Sequence, residues 1–252
     1  MNIEKWIIAH FSPTGGTKRV ADAIAAGFNT PVAEMDLTKA DTVPELGEND
    51  ALMAVLPVYG GRVPQVALER MSALKGNGRK AVAVAVYGNR EFDDGLLETK
   101  NALEANGFRV IAAAAFIAEH SIVRSIAAGR PDAEDEVICR QFAADIMAKP
   151  DDCEAISVPG NDPYAAIKPS PFHPTANESC VKCGLCAESC PLGAIPVEDP
   201  SQTDADKCIN CMRCVQVCPT KSRALPATFL EGAAKMLSEK AAGYKLPSIF
   251  LL

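Results

Sequence analysis

The chain has 252 residues, with 32 acidic against 25 basic side chains and a net charge of −7. That length allows one large domain or two modest ones. The acidic balance argues against a nucleic-acid partner and gives no membrane-surface signal, and no apolar run approaches the ~20 residues of a membrane span.

The start, Met1-Asn-Ile-Glu-Lys-Trp-Ile-Ile-Ala-His10, has no basic n-region and no cleavage site, so it reads as a strand rather than a signal peptide. Short apolar runs then alternate with helical patterns over the first ~150 residues, as a parallel α/β sheet requires. Strands are expected at Trp6 to Phe11, Val32 to Leu37, Ala51 to Tyr59, Ala81 to Tyr87 and Arg109 to Ile117. The third is apolar throughout, which places it centrally, covered on both faces. Helices are expected at Lys18 to Phe28, with Val20, Ala21, Ile24 and Ala25 buried, at Pro64 to Leu74, at Gly95 to Asn106 closed by Gly107, and at Asp132 to Ala148. Right-handed crossovers put these helices on both faces of five strands.

From Lys149 to Glu178 prolines fall at 150, 159, 163, 169, 171 and 174, which reads as an extended linker ordered by docking on its neighbours. The next stretch carries the strongest pattern in the chain. Cys180-Val-Lys-Cys183-Gly-Leu-Cys186-Ala-Glu-Ser-Cys190-Pro191 is followed, 28 residues on, by Cys208-Ile-Asn-Cys211-Met-Arg-Cys214-Val-Gln-Val-Cys218-Pro219. Each half is C-x2-C-x2-C-x3-C-P, the run that holds cubane iron–sulfur clusters by thiolates. Three cysteines in a tight loop grip one cluster, while the fourth has entered the next short helix and faces the other. The expected sets are therefore crossed: Cys180, Cys183, Cys186 and Cys218 for one [4Fe–4S] cluster, and Cys208, Cys211, Cys214 and Cys190 for a second. Zinc sites usually take two C-x-x-C pairs without the C-x3-C-P tail, and disulfides need an oxidising compartment. Of ten cysteines, Cys139 and Cys153 remain, and read as ordinary thiols. Ala194-Ile195-Pro196-Val197 and Ala224-Leu225-Pro226 are expected to pair as small strands over the clusters. A last helix is expected over Thr228 to Ala242, and an extended tail from Lys245 to Leu252 that packs back on the first domain. The reading in domains is 1–149, a linker over 150–176, a cluster domain over 177–226, and a helix with tail over 227–252.

Three loops follow strands one, three and four at the sheet edge where open α/β sheets bind ligands. Ser12-Pro-Thr14-Gly15-Gly16-Thr17 leads straight into a helix, so backbone N–H groups and the helix N-terminus make a phosphate cradle. It lacks the lysine of a nucleoside-triphosphate loop and is not G-x-G-x-x-G, which favours a monophosphate. This strand–loop–helix resembles the FMN phosphate loop of flavodoxins, S/T-x-T-G-x-T. Pro57-Val58-Tyr59-Gly60-Gly61 and Tyr87-Gly88-Asn89-Arg90 stand where that family places its two flavin-contacting loops. With the cysteine runs, the whole chain resembles the flavodoxin–ferredoxin fusion family, often labelled EFR1-type ferredoxins. The resemblance implies a flavodoxin-like, doubly wound, five-stranded parallel sheet of order 2-1-3-4-5, with a smaller α+β two-cluster ferredoxin domain. It implies that Ser12, Thr14, Gly15, Gly16 and Thr17 hold the FMN phosphate and that Tyr59 stacks on the ring. Pro57, Val58, Gly60 and Gly61 would lie beside it, Tyr87, Gly88 and Asn89 would bracket the pyrimidine side, and Arg90 would place a cation near the ring. The Tyr87-Gly-Asn-Arg loop departs from the acidic, aromatic loop of long flavodoxins. His120-Ser121 follows strand five and could reach the flavin edge.

His10, His120 and His173 are far apart and read as satisfied or exposed histidines. Glu34, Asp36 and the acidic run from Asp132 to Glu136 read as solvated or helix-start charge. Lys182, Lys207, Arg213, Lys221 and Arg223 would screen cluster charge, with docking of an acidic partner as the alternative. The function this implies is electron transfer between FMN, two [4Fe–4S] clusters and a redox protein, in a reducing and anaerobic cytoplasm, with no catalytic residue assigned. A homodimer stays open. So do FMN-dependent reduction of a small quinone-like acceptor and, third, a cluster-based redox sensor.

Overall fold

A computed structural model describes residues 1–39, 43–167 and 170–251; Pro169 of the linker and Leu252 of the tail lie outside the described residues. The elements of the first part are β1 (Lys5–His10), α1 (Gly16–Ala25), β2 (Val32–Asp36), β3 (Asp50–Pro57), α2 (Gln65–Met71), β4 (Lys80–Tyr87), α3 (Gly95–Ala105), β5 (Arg109–Ile117) and α4 (Ala133–Ala148). There follow β6 (Thr175–Ala176), α5 (Leu185–Glu188), α6 (Arg213–Val217), β7 (Arg223–Ala224), α7 (Ala227–Lys240) and β8 (Ser248–Phe250).

The main sheet has the order β2-β1-β3-β4-β5-β8. Its first five strands are parallel and keep the flavodoxin-like order, with the switch point between β1 and β3. Every residue of β3 is buried, as its unbroken apolar run requires. Alternate side chains divide the core. Ile8, Met53 and Val84 face α1 and α4 through Val20, Ile24, Phe142 and Ile146. Ile7, Leu52 and Ala83 face α2 and α3 through Met71, Leu96 and Leu103. α1 stops at Ala25, short of the expected Phe28, and the Phe28 ring instead stacks on Trp6 at 4.5 Å. Asp132 accepts from the N–H groups of Glu134 and Asp135, while the Asp135 side chain accepts from the Asp132 N–H, a capping box that starts α4. Among the described residues no helix is long and apolar enough to cross a membrane.

Two strand expectations need correction. The sheet has six strands, because the tail adds β8 antiparallel to β5. Ile249 joins the core face of α1 and α4, and Phe250 the opposite face, so even this short strand obeys the two-residue alternation. The strand partner of β7 is β6, drawn from the proline-rich stretch, rather than the Ala194–Val197 patch. Pro196 removes an N–H from that patch, and Val197 is left exposed.

The stretch before β6 is held by the buried Asp94. Its carboxylate accepts from the Asn161 N–H and amide at 2.8 Å and from the Ala165 N–H at 2.7 Å. Burial pushes this carboxyl up, but the Ala165 and Asn161 donors outweigh it and hold it below the usual carboxylate range. Arg62 lies 4.5 Å over the Tyr164 ring and pairs with Glu98.

Candidate cofactor sites

The loop after β1 is fixed from within. The Ser12 hydroxyl accepts the Lys18 N–H at 2.8 Å, the Ser12 N–H donates to Thr38 Oγ1 at 2.8 Å, and Gly15 caps α1 at φ 88°. Among the described residues the N–H groups of Thr14, Gly16 and Thr17 have no acceptor within the chain. Three unpaired amides at the start of a ten-residue helix suit an anion, so these residues fit a phosphate. Below the loop, His10 is buried with Nε2 at 2.7 Å from Glu34 Oε1. That bond, ahead of Lys18, holds the Glu34 carboxyl low, so Glu34 is both an exposed charge, as expected, and the partner of the core histidine.

A pocket of about 450 Å³ opens at the same edge. It gathers Thr14, Gly16 and Thr17 from the first loop, Pro57, Val58 and Tyr59 from the second, and Tyr87 and Gly88 from the third. It also takes Pro13, Val86, Ala118, Glu119, His120 and Ser121. Of these only the His120-Ser121 pair was anticipated; the rest lie beside named loops or follow β5, whose C-terminal end shares this edge. A Cβ at Gly88 would come within 2.5 Å of the His120 ring, so only glycine lets that histidine reach the pocket. The Ile122 and Val123 N–H groups donate to His120 Nδ1 at 3.2 and 3.1 Å, which leaves the ring proton on Nε2. Burial, and then Arg90, push the His120 pKa down and keep the ring neutral. Burial lifts Tyr87 to about 12.

Six of the expected residues do not line this pocket. Ser12 works inside its own loop. Gly15 borders a neighbouring cleft of about 1620 Å³, along with Lys18, Arg19 and Lys221. Gly60 and Gly61, both at positive φ, form the tip of a turn closed by the Tyr59 and Arg62 backbones. Asn89 and Arg90 depart most from expectation. The buried Asn89 amide donates to the carbonyls of Ala241 and Gly243 at 2.7 and 2.9 Å, and Arg90 pairs with Asp93. Asn89 staples the third loop to the segment after α7, where Lys245 Nζ also donates to the Arg90 carbonyl.

All ten cysteines are free. Among the described residues no three His, Cys, Asp or Glu close tightly enough to hold a single metal ion. The eight motif cysteines line two spaces instead. Cys190, Cys208, Cys211 and Cys214 border one of about 360 Å³, and Cys180, Cys183, Cys186 and Cys218 border one of about 290 Å³. The two turns share one backbone at the 28-residue offset. Lys182 and Asn210, Gly184 and Met212, and Gly193 and Lys221 are all left-handed, and α5 and α6 start at equivalent residues. Such alternation of right- and left-handed residues aims successive N–H groups into a concavity, as at many iron–sulfur sites. Eight soft sulfurs in such turns fit clusters. Burial lifts the Cys211 thiol to about 12. At Cys218 burial is outweighed by the Ser222 and Thr220 hydroxyls and by backbone N–H groups, which bring it down to about 6.

The second turn is pressed against the sheet. Arg213 donates to the Pro13 carbonyl and Gln216 to that of Thr14, both at 3.1 Å, while Arg70 reaches Pro191 at 2.6 Å. Tyr59 lines the sheet-edge pocket; burial, and then the Cys211 thiol, push its pKa well up. Of the basic residues near the turns, Lys182 and Lys207 pair with Asp199 and Asp204, Lys221 is exposed and Arg223 is buried.

Residues 179–222 match the family model of a 4Fe-4S dicluster domain. The chain is similar in fold to a flavodoxin from the domain Archaea, at 19% identity over 56% of this chain and 95% of that one, with a TM-score of 0.45. It is also similar to the Streptococcus pneumonia TIGR4 flavodoxin, at 19% identity over 58% and 99%, with a TM-score of 0.42. For oxidised flavodoxin 1 from Bacillus cereus the values are 18%, 57%, 97% and 0.43. No curated protein matches. At these scores the structural likenesses carry no argument of their own, and the strand order stands on the chain's own pairing.

Proposed function

We propose that the chain is an iron–sulfur flavoprotein that carries electrons between FMN, two [4Fe–4S] clusters and a redox protein. The observation that carries this reading is the junction at the phosphate loop, where Arg213 and Gln216 of the second cysteine turn donate to the carbonyls of Pro13 and Thr14, residues that line the sheet-edge pocket. FMN would supply one- and two-electron exchange and each cluster one-electron exchange. The N–H groups of Thr14, Gly16 and Thr17 would hold the FMN phosphate. Tyr59, Tyr87 and Val58 would exclude water from the ring, and His120 would offer its Nε2–H. Cys190, Cys208, Cys211 and Cys214 would ligate the cluster next to the flavin. Cys180, Cys183, Cys186 and Cys218 would ligate the outer one, where Cys183 is exposed to a partner. Free thiols throughout suit a reducing cytoplasm. Membership of the EFR1-type family is part of the same reading.

The test is purification without oxygen, with flavin, iron and sulfide counted per chain. One FMN and about eight irons are expected for two cubanes. Clusters without flavin would remove the FMN half, and zinc or cystines would remove the rest. Thr14→Asp places a carboxylate in the cradle and is expected to weaken FMN binding a hundredfold or more while leaving iron unchanged. An unaltered affinity would refute the placement.

A second reading draws on the cleft of about 1620 Å³ beside the phosphate loop, bordered by Lys18, Arg19 and Lys221. There the chain would reduce a small quinone-like acceptor at FMN, fed through the clusters. Anaerobic turnover of small quinones, faster than transfer to redox proteins, would favour it.

A further inference from the structure

Arg223 is among the largest fully buried side chains of the protein, at 2% exposure, and among the described residues it has no carboxylate partner. Its Nη1 donates to the Pro200 carbonyl at 2.6 Å, and its Nη2 to the carbonyls of Pro174 and Gln202 at 2.9 and 3.2 Å and to the Thr203 hydroxyl. Nε, also buried, has no partner. A buried cation served only by neutral oxygens is expensive unless negative charge stands nearby. The nearest candidates are cysteine sulfurs. Nη1 lies 3.9 Å from Cys186 Sγ, in the outer set. Arg223 itself lines the space of the outer set, and Pro174 and Thr203, to which its Nη2 donates, line the space of the set next to the sheet.

We infer that Arg223 is the shared counter-charge of the two clusters: one buried guanidinium, set between the cysteine sets, that raises both reduction potentials together. The inference rests on the cluster reading above. Reduction adds one electron, and so one negative charge, to a cluster whose thiolates already face the guanidinium. Arg223 therefore stabilises the reduced form of either cluster over the oxidised one, and because it is buried its field is little screened. Its neighbours do not share this role. Lys182 and Lys207 stand at the surface with carboxylates, and Lys221 is exposed. Arg223 is a positioning residue, since it also ties the 200–203 loop to Pro174.

The experiment compares wild type, Arg223→Met, Arg223→Lys and Lys221→Met as full chains purified without oxygen. Iron and sulfide are counted first, and then both potentials are measured by redox titration followed by electron paramagnetic resonance. In Arg223→Met both potentials are expected to fall. At fixed potential the oxidised-to-reduced ratio should rise at least tenfold for each cluster, which is about 59 mV for a one-electron centre. Arg223→Lys is expected to restore most of the shift, and Lys221→Met to change little. Potentials unmoved in Arg223→Met, or a shift confined to one cluster, would overturn the inference. So would loss of iron from the Lys variant as well as the Met variant, which would assign the side chain's role to its carbonyl bonds. Wild-type protein without iron or sulfide would instead overturn the cluster reading, and the two failures are thus distinguishable.

Discussion

The two cysteine turns have the same backbone and opposite surroundings. Left-handed residues recur at one offset, and each turn is followed by a short helix. Yet in the first turn Cys183 is exposed and Val181 is 65% exposed, whereas in the second Cys211 is buried and Met212 is 5% exposed. Local geometry is therefore a property of the repeated spacing, which any such loop can adopt. On the function proposed above, a path from the sheet-edge pocket through the inner set to the outer would follow from what each turn packs against. Arg213, Gln216 and Arg70 fix that packing with three side-chain donors to backbone carbonyls across the junction.

The largest expected effect separates the turns by their fourth cysteines. Cys190 belongs to the first turn in sequence but borders the second set in space, and Cys218 does the reverse. Cys190→Ala should cost the inner cluster and Cys218→Ala the outer one, each removing about four irons per chain. Tyr59→Ala should tell which loss cuts the flavin off: transfer between flavin and iron is expected to slow tenfold or more, about 1.4 kcal/mol of barrier. The test is stopped-flow mixing with the flavin and cluster absorbances followed separately. If Cys190→Ala spares the inner cluster, the crossed arrangement is wrong.

How much of this was readable from residues alone follows from the range over which each feature is determined. The cysteine spacing, the cap at Asp132 and the bounds of β5 depend on neighbours within a few positions, and all three are plain in the sequence. β6 and β8, two and three residues long, exist because of partners 47 and more positions away, and carry no periodic signal. Asn89 looked like a ring contact because it follows β4, but a buried amide goes to whichever carbonyls lie nearest, here those of Ala241 and Gly243. Arg223 was one of five cations expected to screen cluster charge, with nothing to set it apart from the other four. Nothing in Ser-Arg-Ala distinguishes a buried guanidinium from a solvated one; only the carbonyls of Pro174, Pro200 and Gln202 do.

The approach to the outer turn depends on Asp94, which holds residues 161–165 before the chain reaches β6. Because its folded pKa is depressed, Asp94 contributes stability that is present above its unfolded value, near 4, and is lost as pH falls through the lower folded value. Asp94→Asn should cost about 1–3 kcal/mol at neutral pH, since two backbone N–H groups lose a charged acceptor. It should also flatten acid unfolding below about pH 4. Circular dichroism melts across pH 2–7 give both results. Equal slopes in the two proteins would mean that the carboxylate is not what holds this stretch.

The smallest effect bears most directly on the comparison, because it places one substitution in both turns. A non-glycine residue in the left-handed region costs roughly 1–2 kcal/mol, and Lys182 and Met212 both sit there, at φ 52° and 62°. Changing either to glycine relieves that strain but adds about 0.4–1 kcal/mol of unfolded-chain entropy. For Lys182 little else changes: its ion pair to Asp199 is exposed and contributes little. The net should lie within about 1 kcal/mol of zero. Met212→Gly also removes a buried side chain worth about 1.5–3 kcal/mol, so burial outweighs strain and the variant should be less stable by about 2 kcal/mol. Denaturation followed by loss of cluster absorbance measures both. Equal effects at 182 and 212 would show that the turns differ less in packing than their exposures indicate, and the distinction between an inner and an outer set would then rest on the Arg213, Gln216 and Arg70 bonds across the junction.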